Sequence, residues 1–226
     1  MNLRKIIRKI LRRQSFALND LDLKVRPFLN FKNGFFIEAG ANDGLTTSNT
    51  LHFERYRNWT GILIEAVPEL AEKCRQNRPK CIVENCALVP FSYSDSHVAM
   101  HYCNMMSLVK GAMRSEEADK AHIQSGCQMQ KITSYELSVP ARTLNSVLDQ
   151  HQKQIPAIDF FSLDVEGYEL EVLKGLDLDK YQPRYILVEV WFGKEIDAFL
   201  NSRYEQVALL SYHDVLYRRR NSNPHR

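Results

Sequence analysis

Five short hydrophobic runs along the chain each carry an acid at or near their C-terminal end: Phe35-Phe36-Ile37-Glu38, Gly61-Ile62-Leu63-Ile64-Glu65, Cys81-Ile82-Val83-Glu84-Asn85, Asp159-Phe160-Phe161-Ser162-Leu163-Asp164 and Tyr185-Ile186-Leu187-Val188-Glu189. Their length and composition predict strands. Helices are predicted over about residues 47–57, from Pro68 with Glu69 in its first turn, over about 143–152 and over 168–175. Strands alternating with helices predict a mostly parallel α/β sheet. The last segment, 204–212 and then 215–218 across His213-Asp214, reads as a terminal antiparallel hairpin. In such a sheet the ligand crevice lies outside the carboxyl ends of the strands, so acids placed there repeatedly predict a site for hydroxyls or positive charge.

The third strand is expected to span residues 81–88, after which the rhythm breaks. Residues 91–138 are richer in Ser, Met, His and Tyr and lack sustained periodicity. This stretch is expected to be a lid insertion over the site, with a helix near 115–125 and short strands near 98–102 and 135–139. Residues 16–33 form a mixed polar and apolar approach to the first strand. Before them, Leu3, Ile6, Ile7, Ile10 and Leu11 recur at helical spacing opposite six basic residues, which predicts an amphipathic helix with a cationic face. That helix suits packing on the domain, an anionic membrane surface, a partner or an organelle-targeting role.

With 226 residues, 44% of them hydrophobic, the chain supports one well-formed domain over residues 34–226 preceded by a leader over 1–33. The formal charge is +3, but removing the six basic residues of segment 1–13 leaves 24 basic residues against 27 acids, a net −3. A mildly acidic body argues against a nucleic-acid footprint. Five cysteines without CxxC spacing read as reduced structural thiols of a cytoplasmic protein. No apolar run approaches the ~18 residues of a membrane span.

Candidate chemistry gathers at the strand ends. Gly40 lets the chain turn sharply after the first strand, and Gly44 adds a second permissive position. Glu38 can receive a hydroxyl or an amino group. Glu65 closes the second strand 25 residues after Gly40, where an acid can accept both ribose hydroxyls of a nucleoside cofactor. Asn85 can present polar atoms to a purine or simply serve a turn. His101 and His122 in the insertion are candidate bases, and Met100, Met105, Met106, Met113 and Met129 with Tyr93, Tyr102 and Tyr135 suit either an acceptor wall or a small lid core.

The turn Glu38-Ala-Gly-Ala-Asn-Asp-Gly44, then Ser48-Asn49-Thr50, Glu54, Trp59, Gly61-Ile-Leu-Ile-Glu-Ala66, Asn77-Arg78 and Asp164-Val-Glu-Gly-Tyr-Glu-Leu-Glu-Val-Leu-Lys-Gly175 together resemble the FkbM family of S-adenosylmethionine-dependent methyltransferases over roughly residues 34–190. The Ser-Asn-Thr and Trp-x-Gly-x-x-Ile-Glu elements look closest to a subgroup that includes animal Star-like proteins and microbial or viral sequences. The resemblance implies a class I methyltransferase fold, Rossmann-like, with a mostly parallel seven-stranded sheet. It implies S-adenosylmethionine as cofactor, with Glu38, Gly40 and Asn42 along its methionine end and Glu65 on its ribose. Gly44, Asn49 and Asn85 complete the expected cofactor contacts. Family members are mostly O-methyltransferases associated with sugars and natural products, so a small-molecule or glycan acceptor is expected. Many carry Lys two residues before the Asp of Asp-Val-Glu-Gly, where this chain has Ser162.

Methyl transfer to oxygen needs a positioned hydroxyl and a proton acceptor. Asp164 is expected to be general base or acceptor-orienting carboxylate, with Glu166 and Glu189 as supporting acids, unless Glu166 caps the next helix and Asp164 satisfies turn amides. These three acids can also offer a hard cation oxygen ligands, but spacing alone assigns no metal. Two other function classes stand beside this one. A nicotinamide-dependent oxidoreductase would want the middle glycine that Ala39-Gly40-Ala41-Asn42-Asp43-Gly44 lacks. A catalytically weak scaffold would dock a partner or membrane through residues 1–13.

Overall fold

The computed structural model describes residues 14–220, and the helix expected over residues 1–13 lies outside them. The first half of the described chain runs α1 (Leu21–Val25), β1 (Phe35–Ala39), α2 (Leu51–Arg57), β2 (Thr60–Ile64), α3 (Pro68–Asn77), β3 (Ile82–Glu84), β4 (Ala87–Leu88), β5 (His97–Tyr102) and β6 (Leu108–Val109). It continues through α4 (Glu116–Gln130), β7 (Tyr135–Arg142), α5 (Leu144–Gln150), β8 (Phe160–Leu163), α6 (Glu169–Leu173), β9 (Tyr185–Glu189), α7 (Gly193–Leu200), β10 (Tyr204–Leu209) and β11 (Asp214–Arg219).

Seven strands form one sheet in the order β10-β11-β9-β8-β1-β2-β3, in which β11 runs against both its neighbours and the other adjacent pairs are parallel. The class I methyltransferase architecture implied by the resemblance, with its C-terminal antiparallel hairpin, is therefore present. Side chains alternate between the two faces of each strand. Phe35, Ile37, Ile62, Ile64, Phe161, Leu163, Ile186 and Val188 join one core, which α5, α6 and α7 cover through Leu144, Leu148, Val172, Leu173, Ile196 and Leu200. Phe36, Leu63, Phe160, Tyr185 and Leu187 join the other, covered by α1, α2 and α3 through Leu21, Val25, Phe53 and Cys74. Two covered faces explain why these strands read as continuous apolar runs.

The expected third strand, 81–88, is two strands in different sheets. After Glu84 the chain leaves the large sheet, and Ala87 and Leu88 pair with Ala141 and Arg142 of β7. Asn85 marks the crossing, its amide donating to the carbonyls of Glu65 (2.9 Å) and Ala66 (2.8 Å). The insertion folds around a second sheet, β4-β7-β5-β6, with its own apolar core of Val98, Met100, Leu108, Ile123 and Val139. Its helix, α4, is longer than expected and starts with the Ser115 side chain accepting from the Ala118 amide. Helix α7 was not foreseen. Its apolar residues Ile196, Phe199 and Leu200 stand at helical spacing and pack on the first core, so the period is present in a short eight-residue span.

The helix expected over 47–57 starts at Leu51 because residues 48–50 wrap the Glu38 carboxylate. Glu38 accepts from the Ser48 hydroxyl (2.9 and 3.0 Å), the Asn49 amide (2.7 Å) and the Thr50 hydroxyl (2.6 Å). Arg78, fully buried, lies 3.8 Å from Glu38, hydrogen-bonds Glu54 and Thr50, and reaches the Gly44 carbonyl at 2.9 Å. Among the described residues no helix is long and apolar enough to cross a membrane.

Removing one partner of a buried pair strands the other, which costs about 3–5 kcal/mol. Arg78→Met is therefore expected to lower unfolding free energy by that amount in urea denaturation, and adding Glu38→Gln should recover part of the loss.

Candidate active site

The ends of β1, β2 and β8 meet because a glycine lets them. Gly40 has φ +81°, and a Cβ there would lie 1.8 Å from the carbonyl oxygen of Asp164. The turn after β1 thus rests directly on the turn after β8, and the Gly40 and Ala41 amides both donate to the Ile64 carbonyl of β2, at 3.1 and 3.2 Å. Asn42 also has positive φ, 49°, which asparagine tolerates better than most residues.

Glu65, just past β2, fastens this turn to the next. One carboxylate oxygen accepts the Asn42 amide and the other the Val67 amide, both at 2.8 Å. Each oxygen keeps a further acceptor position. Burial pushes the Glu65 pKa up to about 7, against the opposing pull of those two amides.

Three more acids converge beyond β8 and β9. Single oxygens of Asp164, Glu166 and Glu189 lie within 4.8 Å of one another. The turn that carries the first two is held by Glu169, which accepts from the amides of Val165 (3.2 Å) and Gly167 (2.9 Å) and whose pKa burial pushes up to about 8. Glu169 thus takes the turn-amide role considered for Asp164, whose side chain hydrogen-bonds Glu189 instead. Glu166 sits at φ 54°, a left-handed conformation uncommon for a side chain of this size. Burial, followed by the charges of Glu189 and Glu166, holds the Asp164 pKa well above the ordinary carboxylate value. Burial likewise pushes Glu189 up to about 7.

A cleft open to solvent, about 740 Å³ of space counted with its open mouth, lies outside these strand ends. Gly40, Asn42, Glu65, Asp164 and Glu166 line it, with Ile64, Cys86, Ala87 and Leu88 supplying apolar wall. The insertion adds Met100, Asn104, Met105, Ser107 and Val109. Of these, Asn104 and Ser107 were not foreseen, because their position depends on how the second sheet folds over the first.

The other expected site residues sit outside that lining. Glu38 and Asn49 belong to the buried network under the turn, and Asn49 donates to Ser162 at 3.0 Å. Ser162 faces Glu38 across the β1–β8 register. Many family members carry lysine where this chain has Ser162, and the cation beside Glu38 here is Arg78. Gly44 packs on Arg78, and Asn85 spends its amide on the Glu65 and Ala66 carbonyls. Glu84 turns away to Arg142 (2.8 Å) and His151 (2.5 Å). Glu189 joins Asp164 without lining the cleft.

Of the two histidines, His101 approaches only Glu136, at 4.0 Å, whereas His122 lies 3.2 Å from Glu166. Trp191 and His213 join this group unforeseen. The Trp191 indole donates to Glu189 at 2.8 Å, and His213 lies 3.5 Å from the same acid. Met100 and Met105 line the cleft, Met106 and Met113 pack on the insertion core, and Met129 is exposed.

A doubly wound sheet with a cleft at its carboxyl edge, a glycine turn after β1 and an acid after β2 is the arrangement of a nucleoside-cofactor-binding α/β enzyme. Residues 38–214 match the FkbM methyltransferase domain, and the chain belongs to that family of S-adenosylmethionine-dependent methyltransferases. A crystal structure of a SAM-dependent methyltransferase from Aquifex aeolicus is similar to it with a TM-score of 0.43 and 11% identity, over 96% of this chain and 98% of that one. No curated protein matches the sequence. The cleft suits the cofactor: Glu65 has acceptor capacity for hydroxyls, and the apolar wall beside it suits a flat base.

Gly40→Ala is expected to destabilise the protein by more than ~2 kcal/mol, since it adds both a clash and an unfavourable φ. A thermal melt that leaves the midpoint unchanged would contradict this account of the turn.

Proposed function

We propose that the protein transfers a methyl group to a hydroxyl oxygen of a sugar, glycan-like or natural-product acceptor. The observation that carries this reading is the acid group beside the cofactor cleft, with Asp164 and Glu166 on the cleft wall and Glu189 adjoining them. Carboxylates accept hydrogen bonds from hydroxyls and take up the proton a hydroxyl loses. Bound S-adenosylmethionine supplies an electrophilic methyl on a sulfonium sulfur.

The chain's own residues supply binding, orientation and proton acceptance. Glu65 accepts the ribose hydroxyls, Gly40 and Asn42 form the wall along the methionine end, and Glu38, Gly44, Asn49 and Asn85 hold that wall in shape. Asp164 orients the acceptor hydroxyl and receives its proton, with Glu166 and Glu189 in support. Met100 and Met105, soft and adaptable, give the acceptor an apolar surface.

Glu65→Ala is expected to weaken S-adenosylhomocysteine binding by ~1–3 kcal/mol in calorimetric titration. The carboxylate is the accepting form, so affinity should be full above pH 7 and fall by about tenfold per unit below it, a slope that Glu65→Ala removes.

Asp164→Asn should leave that binding nearly intact and lower turnover by ~100-fold or more in a screen of hydroxylated acceptors. Full turnover in the variant would end the role given to Asp164.

A further inference from the structure

The turn that follows β1 has no backbone donor left to give. From Gly40 to Thr46 every amide is spent inside the protein: Gly40 and Ala41 on the Ile64 carbonyl, Asn42 on Glu65, Asp43 on the Asn42 side-chain oxygen, Gly44 on the Ala41 carbonyl, and Leu45 and Thr46 on the Asp43 carboxylate. S-adenosylmethionine carries an anionic group, the carboxylate of its methionine end. Among the described residues that line the cleft, three are acids and none is Lys, Arg or His. The acids suit the positive groups of the cofactor, so its carboxylate needs neutral donors from outside that turn.

The side chain of Asn42 shows where one stands. Its oxygen accepts the Asp43 amide at 2.7 Å, which fixes its nitrogen as the atom that reaches the insertion, where it donates to the Asn104 side-chain oxygen at 3.4 Å. Asn104 thus turns its oxygen to Asn42, and its own amide nitrogen donates to no protein atom among the described residues. The other lining donors are mostly spent, the Thr47 hydroxyl on the Thr46 carbonyl and the Ser107 hydroxyl on the Asn104 carbonyl, both at 2.8 Å. The Tyr168 hydroxyl remains as well, but Asn104 is the one hydrogen-bonded to the turn after β1.

Asn104 is also held in place before any ligand arrives. It sits at φ 50°, a left-handed conformation that asparagine tolerates, at the start of the short helical turn Asn104–Met106. On one side Ser107 binds back to it, its hydroxyl oxygen accepting the Cys103 amide at 2.8 Å. On the other side the Gln130 side chain, from the end of α4, donates to the Cys103 carbonyl at 2.9 Å and accepts the Met105 amide at 3.4 Å. A donor fixed beforehand loses little freedom on binding.

We propose that Asn104 is a cofactor-binding residue, its amide nitrogen donating to the carboxylate at the methionine end while its oxygen stays on Asn42. The insertion then supplies part of the cofactor site as well as an acceptor wall, and the Asn42–Asn104 bond joins the two sides of the cleft. This role rests on the placement of Asn42 along the methionine end, and the identity of the acceptor does not enter it.

The test is calorimetric titration of the full chain with S-adenosylhomocysteine and with 5′-methylthioadenosine, which has the same base and ribose but no carboxylate. Asn104→Gly and Asn104→Asp both suit a left-handed backbone, so both are expected to fold. S-adenosylhomocysteine affinity should fall ~10-fold or more in Asn104→Gly and further in Asn104→Asp, where like charges meet, while 5′-methylthioadenosine affinity stays within about twofold. Glu65→Ala, at the ribose, should weaken both ligands. Equal losses for the two ligands in the Asn104 variants would mark a structural role only, and undiminished S-adenosylhomocysteine binding would take Asn104 out of the site; either result overturns the proposal. Wild type that binds S-adenosylhomocysteine no more tightly than 5′-methylthioadenosine overturns the carboxylate contact and leaves the cofactor reading standing, whereas wild type that binds neither ligand ends both.

Discussion

At Gly40 the backbone of one strand end lies against the backbone of another with no room for a side chain between them, the absent Cβ being 1.8 Å from the Asp164 carbonyl oxygen. Everything at the carboxyl edge of the sheet depends on that approach. It places the turn that carries Asn42 beside Glu65, and the turn that carries Asp164 and Glu166 on the other side of the same cleft. A cofactor methyl and an acceptor atom must come within bonding reach, so a binding turn and an acid group sharing one backbone contact is a sound arrangement for transfer.

The acids at this edge are handled in three ways. Glu38 is enclosed by hydroxyls, an amide and Arg78, and its charge contributes to the fold. Glu65 is tied to two amides but keeps acceptor capacity toward the cleft, so its raised pKa reflects burial rather than like-charge repulsion. Asp164, Glu166 and Glu189 crowd together. The difference in company separates an acid that supports the fold from acids available for chemistry.

The five strands and the hairpin were legible because each segment carries its own pattern: apolar runs covered on both faces, punctuated by glycine turns. Boundaries failed where a distant contact decided them. Residues 48–50 leave the helix to enclose Glu38, and residues 87–88 leave the large sheet to pair with β7, more than fifty positions away. Helix α7 was missed although Ile196, Phe199 and Leu200 carry a helical period, confined to eight residues.

Local sequence therefore determined the sheet, the glycine turn and the acids at the strand ends, since strand periodicity and backbone freedom are properties of neighbouring residues. The tertiary structure alone decided which acid meets which partner. Nothing near Glu38 in sequence announces Arg78, and nothing near Glu166 announces His122 from the insertion or Trp191 beyond β9. A carboxylate's role follows from its burial and its neighbours' charge, and those are set by contacts between segments that only the folded chain brings together.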